Sequence, residues 1–254
     1  MSRRILLASL LLLTSAHAQQ APRQLYVLEQ ENIDMALTAQ YAEGVHLAIA
    51  AMRTARLGPD FNWRGSQHGN TYFYISQVQS PSDQARSARL ATAIDKATYD
   101  RFASLTDGAI RSRQLSVLEP VPEFSYAPAD PIVQPRLNYV DIVQVHAARV
   151  DQFTEATTRT IAALKAAGYP IGFTTYRVVA GSPNPNDGPS YYLISPYNTR
   201  SQFYEEHPLV AAIEEALGKA EAMQLLAGQQ KNLLSGQSFD HIRRSDLSYR
   251  SQTD

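Results

Sequence analysis

The chain has 254 residues, 44% hydrophobic and 19% charged, with 23 basic against 24 acidic side chains and no cysteine. That length suits one or two domains, and a formal charge of −1 gives no general polyanion-binding character. The missing cysteines exclude disulfides, thiolate metal sites, a cysteine nucleophile and a lipid-anchoring cysteine.

Residues 1–18 read as a secretory signal peptide: a short basic start at Arg3-Arg4, an apolar run from Ile5 to Leu13, and small residues ending at Ala18. The apolar run is too short to span a bilayer, so no stable membrane insertion is expected after cleavage. The nineteen arginines against four lysines fit a GC-rich bacterial source, and the periplasm of a Gram-negative bacterium is the expected compartment.

Beyond the leader, residues 25–31 are β-branched and aromatic and predict a strand. Leu37, Tyr41, Val45, Ile49 and Met52 then recur at helical steps. Residues 61–64 and 71–78 predict a hairpin, with His68 in the turn between them. Ser80-Pro81-Ser82-Asp83 opens a helical stretch that continues to about Arg111 with a break inside it. A strand at 114–118 follows. Residues 120–138, with Pro120, Pro122, Pro128, Pro131 and Pro135, read as a linker. The same series then returns: a strand at 139–145, a helix over Phe153, Thr157, Ile161 and Leu164 stopped at Gly168-Tyr169-Pro170, and a hairpin of 173–179 with 191–195. It ends with a helix from about Thr199 interrupted at Pro208, and a last strand at 238–243.

Local sequence matches run in the same order. At an offset of 112, Leu25 falls on Leu137, Glu29 on Asp141, Tyr41 on Phe153 and Ile49-Ala50-Ala51-Met52 on Ile161-Ala162-Ala163-Leu164. The offset becomes 119 where Tyr72-Phe73-Tyr74-Ile75-Ser76 meets Tyr191-Tyr192-Leu193-Ile194-Ser195, after the turn-rich run from Gly181 to Pro189. It reaches 123 where Ser125-Tyr126 meets Ser248-Tyr249. Repetition at a fixed period is a signature of duplicated units. Each half reads β-α-β-β-α-β: a first unit at 19–119, the linker at 120–138 and a second unit at 139–254.

Two such units in tandem resemble the dimeric α+β barrel superfamily, in a fused form. The resemblance implies an α+β fold in which two ferredoxin-like repeats form one pseudo-twofold barrel. That superfamily includes cofactor-independent monooxygenases, lactone isomerases and haem-binding members, so fold alone does not assign a reaction. It does direct attention to the cavity between the sheet faces.

Strand alternation offers the lining. Placing Phe73 and Ile75 under the helices turns Tyr72, Tyr74 and Ser76 into the barrel, with Tyr191, Leu193 and Ser195 likewise, and Trp63 or Arg64 and Tyr176 or Arg177 beside them. The expected ligand-binding set is Tyr72, Tyr74, Tyr176, Tyr191, Trp63 and Arg177, suited to a small apolar or aromatic molecule. His146, at a strand end, is the candidate proton shuttle if the protein is a cofactor-independent oxygenase or isomerase. Glu29 and Asp141 would form a carboxylate pair if both faced inward. A protein-interaction module is the third function class. No cofactor and no metal site are expected: Glu43 and His46 share a helix face without the further carboxylates a metal cluster needs. Nucleotide-binding loops and zinc-protease motifs are missing, and the Arg111–Arg113 and Arg243–Arg244 clusters are too short to suggest nucleic acid.

Overall fold

The computed structural model describes residues 24–79, 86–181 and 186–252. The leader at 1–18 and the Ser80–Asp83 helix cap lie outside those residues. Eight strands form one closed antiparallel barrel. They are β1 (Leu25–Ile33), β2 (Arg64–His68), β3 (Thr71–Val78), β4 (Ile110–Pro120), β5 (Leu137–Val145), β6 (Thr174–Ala180), β7 (Ser190–Tyr197) and β8 (Leu233–Arg243). Around the barrel the order is β1-β3-β2-β8-β5-β7-β6-β4. Each half thus contributes four neighbouring strands, and the β2–β8 and β4–β6 pairings join the halves. Closure leaves no sheet edge with unpaired backbone groups.

Helices cover the outside: α1 (Thr38–Thr54), α2 (Arg86–Ala93) and α3 (Lys96–Asp107) on the first half, and α4 (Val150–Ala166), α5 (Leu209–Leu217) and α6 (Lys219–Lys231) on the second. Every predicted helix and strand has a counterpart, with shifted ends. The break between α2 and α3 falls before Asp95, whose carboxylate accepts from the Thr98 N–H at 2.9 Å and caps α3. In the second half a π-helical segment, Gln202–Glu206, precedes Pro208, and Gly218 at φ 79° separates α5 from α6. The predicted 61–64 strand is displaced. Phe61 ends a short 3-10 turn at Pro59–Phe61, and His68 is paired in β2 rather than sitting in a turn, because the reversal uses Gly69 at φ 57°.

β1 and β3 are buried on both faces. Facing the helices, Tyr41, Val45, Ile49 and Met52 of α1 pack on Ile33, Tyr72 and Tyr74, while Phe153 of α4 packs on Tyr191 and Phe124. Facing inward, Leu28, Phe73, Leu118, Val140 and Tyr192 form a separate core inside the barrel, with Tyr26, Ile75, Ile142, Tyr176 and Ile194 beside them. Residues 121–136 are anchored to the second half: the Val121 N–H donates to Thr175 O at 2.8 Å, and Tyr126 and Phe173 exchange backbone bonds. The chain then crosses one end of the barrel before entering β5.

Candidate ligand cavity

Inside that end lies a cavity of about 240 Å³. Its wall is apolar where Leu28, Phe73, Ile75, Val140, Tyr192 and Ile194 meet, and Ile132, Val133 and Pro135 of the connecting segment border it. Polar groups enter from strands of both halves: Arg64 and Ser66 on β2, Asn138 on β5, Thr174 and Tyr176 on β6, and His241 and Arg243 on β8.

His241 is the one imidazole on the wall. It is 4% exposed and stacks on Phe73, with ring centroids 4.2 Å apart. Its Nδ1 is 3.3 Å from Ser66 Oγ, across the β2–β8 junction. Its Nε2 is buried without a hydrogen-bond partner among the described residues. A buried polar atom left unpaired costs roughly 1–3 kcal/mol, so it marks a place where a partner is missing. Burial, with His68 close by, pushes the His241 pKa down to about 4, and the ring is neutral at pH 7. His68 itself is held by its Nδ1–H donating to Asp240 O at 3.0 Å. With the proton of His241 on Nδ1 and donated to Ser66, Nε2 carries the lone pair.

The sequence alternation is right in period and inverted in phase. Tyr72 and Tyr74 face the helices, Trp63 packs in the same outer core, and Tyr191 stacks on Phe153. None of the four lines the cavity; Phe73, Ile75, Tyr192 and Ile194 do. Tyr176 is where it was expected, edge-on to Tyr26 at 5.5 Å. Arg177 points outward to Glu119 at 2.6 Å, and Arg64, the alternative to Trp63, lines the cavity. His146 ends β5 beside a 3-10 turn, its N–H donating to Asn232 O, away from the cavity lining.

Glu29 and Asp141 also face outward, and they do not meet. Asp141 accepts from Ser238 Oγ, and burial raises its pKa. Glu29 belongs to a buried cluster under α1 and α2. Arg113 lies 3.0 Å from Glu29 and 2.7 Å from Glu31, and Arg86 lies 3.8 Å and 3.3 Å from the same two carboxylates. Tyr41 donates to Glu31 and accepts from the Tyr74 hydroxyl, and the Arg86 guanidinium sits 3.6 Å over the Tyr74 ring. Burial lifts the Glu29 pKa. It also works against the Glu31 charge, but Arg86, Tyr41 and Arg113 outweigh it and hold Glu31 below the ordinary value. Among the described residues no group of three or more His, Asp or Glu side chains could hold a metal ion, and no helix is long and apolar enough to cross a membrane.

No family model matches the chain, and no curated protein matches it by sequence. Solved structures do match. A candidate monooxygenase from Lactobacillus acidophilus NCFM is similar at 11% identity over 90% of this chain and 97% of that one, with a TM-score of 0.52. Another, from Fusobacterium nucleatum, is similar at 6% identity over 90% of this chain and 98% of that one, with a TM-score of 0.53. The fold is the dimeric α+β barrel. At such identities the likeness concerns the backbone frame alone. In the α+β barrel described above, one chain supplies all eight strands.

Proposed function

We propose that the barrel cavity binds a small, largely apolar or aromatic molecule. The observation that carries this reading is a cavity whose carbon-lined wall meets a few polar side chains, among them the buried His241 with its unpartnered Nε2. Ligand sites combine apolar walls with a few convergent polar groups, and this cavity has that composition. The reading also treats the two halves as copies of one unit. Its support is register: Leu28 pairs with Ser116 and Ile75, and Val140, 112 residues later, pairs with Phe239 and Ile194.

Titration calorimetry with 2-naphthol tests the cavity. Binding is expected in the native protein and is expected to vanish in Ile194→Trp, whose indole would fill the space, while the melting temperature shows the variant folded. Unchanged 2-naphthol binding in a folded Ile194→Trp protein removes the proposal.

His241 favours a second reading, a cofactor-independent oxygenase or isomerase, in which Nε2 accepts a proton from a bound acidic C–H or O–H group. This is the role first given to His146, moved to the imidazole that borders the cavity. A neutral ring can accept a proton at pH 7, and sequestration from water keeps that proton available for return. The similar solved structures described as candidate monooxygenases fit this reading without adding residues to it.

A further inference from the structure

We infer that Arg64 and Arg243 form an anion subsite at the mouth of the barrel cavity, so that the ligand is an apolar or aromatic molecule carrying a carboxylate. The inference rests on the cavity's being a ligand site and names the ligand's class.

Several arginines of this protein are paired with carboxylates. Arg86 and Arg113 hold Glu29 and Glu31, Arg111 holds Asp34, Arg177 holds Glu119, and Arg200 and Arg244 hold Asp240 and Asp246. Among the described residues no carboxylate lies within ion-pair distance of Arg64 or Arg243, the two arginines that line the cavity. Arg250 is close enough to act on Arg243 as well. Burial, then Arg64, then Arg250 disfavour the charge on Arg243. Like charges gathered at a half-buried place are unfavourable until an anion joins them. Their position suits one: Ser66 sits between Arg64 and the His241 ring, and Ser66 pairs with Arg243 across the β2–β8 junction.

The neighbouring phenols point the same way. Tyr26 and Tyr176 both feel Arg64, and burial of their hydroxyls keeps them protonated and able to donate. Guanidinium groups match a carboxylate with two parallel N–H bonds, and donors from tyrosine extend that set. Elsewhere on the wall the side chains of Leu28, Val140 and Ile194 offer only carbon. A ligand complementary to both ends has an anionic head in the mouth and an apolar body inside, with the unpartnered Nε2 of His241 beside the body.

The test compares 2-naphthoate with its uncharged counterpart 2-naphthamide by calorimetry at low ionic strength. The native protein should bind the carboxylate about tenfold tighter or more, a preference that added salt reduces. In Arg64→Gln/Arg243→Gln the preference should disappear while 2-naphthamide affinity stays; the exposed single change Arg64→Gln should lose part of it and serves if the double variant does not fold. Equal affinity for the two probes, or a preference that survives both replacements, overturns the anion subsite and leaves the cavity reading standing. Failure of both probes to bind at millimolar concentration overturns the cavity reading and the subsite with it.

Discussion

The two halves place different chemistry on one frame. Glu31 pairs with Tyr72 and Glu29 with Tyr74 in the first half; at corresponding register positions of the second, Val143 pairs with Tyr191 and Asp141 with Leu193. Tyr41 on α1 answers to Phe153 on α4, and Arg113, beside Glu31, answers to Gly236, beside Val143. The helix–sheet contact is therefore an ion and phenol network in one half and a cluster of Phe124, Phe153 and Tyr191 in the other. Inside the barrel the asymmetry reverses. Leu118 fills its place completely, whereas its register counterpart His241 leaves a polar atom unpaired next to a cavity. The frame accepts either solution, and buried polar atoms without a hydrogen-bond partner occur in both places: on Glu29 and Arg86, which face each other as an ion pair, and on His241, which has no such counter-charge.

The largest expected effect breaks the first half's network. Arg86→Met removes a cation that lies against both Glu29 and Glu31, leaving Arg113 alone to balance two buried carboxylates. Removing one partner of a buried ion pair costs about 3–5 kcal/mol, because the other charge stays buried. Replacing the set by the second half's own choices, Glu31→Val, Tyr41→Phe and Tyr74→Leu together with Arg86→Met, should cost less than the single change. Urea unfolding of the two variants decides it. If Arg86→Met costs under about 1 kcal/mol, the network is not what holds this contact.

A smaller effect, and a sharper one for the site, comes from giving the second half the first half's residue. His241→Leu puts at this position the side chain that Leu118 supplies. Because the folded pKa is about 4 against an unfolded value near 6.5, the unfolded chain takes up the proton first as pH falls. Native stability is therefore undiminished above about pH 6.5 and declines by about 3 kcal/mol on the way down to pH 4. The difference in unfolding free energy between native protein and His241→Leu should track that decline, and any proton-transfer turnover should be lost with the ring. A pH-independent difference would mean that His241 is not buried as a neutral group.

Much of this frame was legible in the sequence, because hydrophobic period and turn residues report on local backbone. Gly168 followed by Tyr169-Pro170 announced the end of α4, and the run from Gly181 to Pro189 announced a loop. The phase of β3 was not legible. Both faces of that strand are buried, so Tyr72-Phe73-Tyr74-Ile75 carries no polar side to orient it. Tyr74 takes the helix side, where Tyr41 meets its hydroxyl and Arg86 its ring with Glu31 beside them, a set assembled from three separate elements. His241, on the last strand after Asp240, carries little local signal for a related reason: its neighbours Ser66 and Phe73 arrive through the β2–β8 junction, which no local pattern encodes. One signal was available. At the offset of 123 already set by Ser125-Tyr126 and Ser248-Tyr249, His241 falls on Leu118, an imidazole where the other half keeps a core leucine.

The smallest expected effect concerns the helix ends, where the halves agree in geometry and differ in residue. After α4 the Tyr169 N–H returns to Leu164 O at 3.0 Å, with Gly168 between them at φ 61°. After α1 the Leu57 N–H returns to Met52 O at 3.1 Å, and the residue between is Arg56 at φ 51°. Both are the same C-terminal cap, which favours glycine because a Cβ in the left-handed region crowds the following carbonyl. Arg56 is exposed, and among the described residues its side chain makes no hydrogen bond or ion pair that would repay the strain. Arg56→Gly should therefore raise the unfolding free energy by about 0.5–1 kcal/mol, the relief exceeding the extra freedom glycine gives the unfolded chain. Gly168→Arg should lower it by a similar amount. Thermal melts that move in opposite directions establish one cap used twice. A loss of stability in Arg56→Gly would instead show that the arginine stabilises the first helix end by more than its backbone costs.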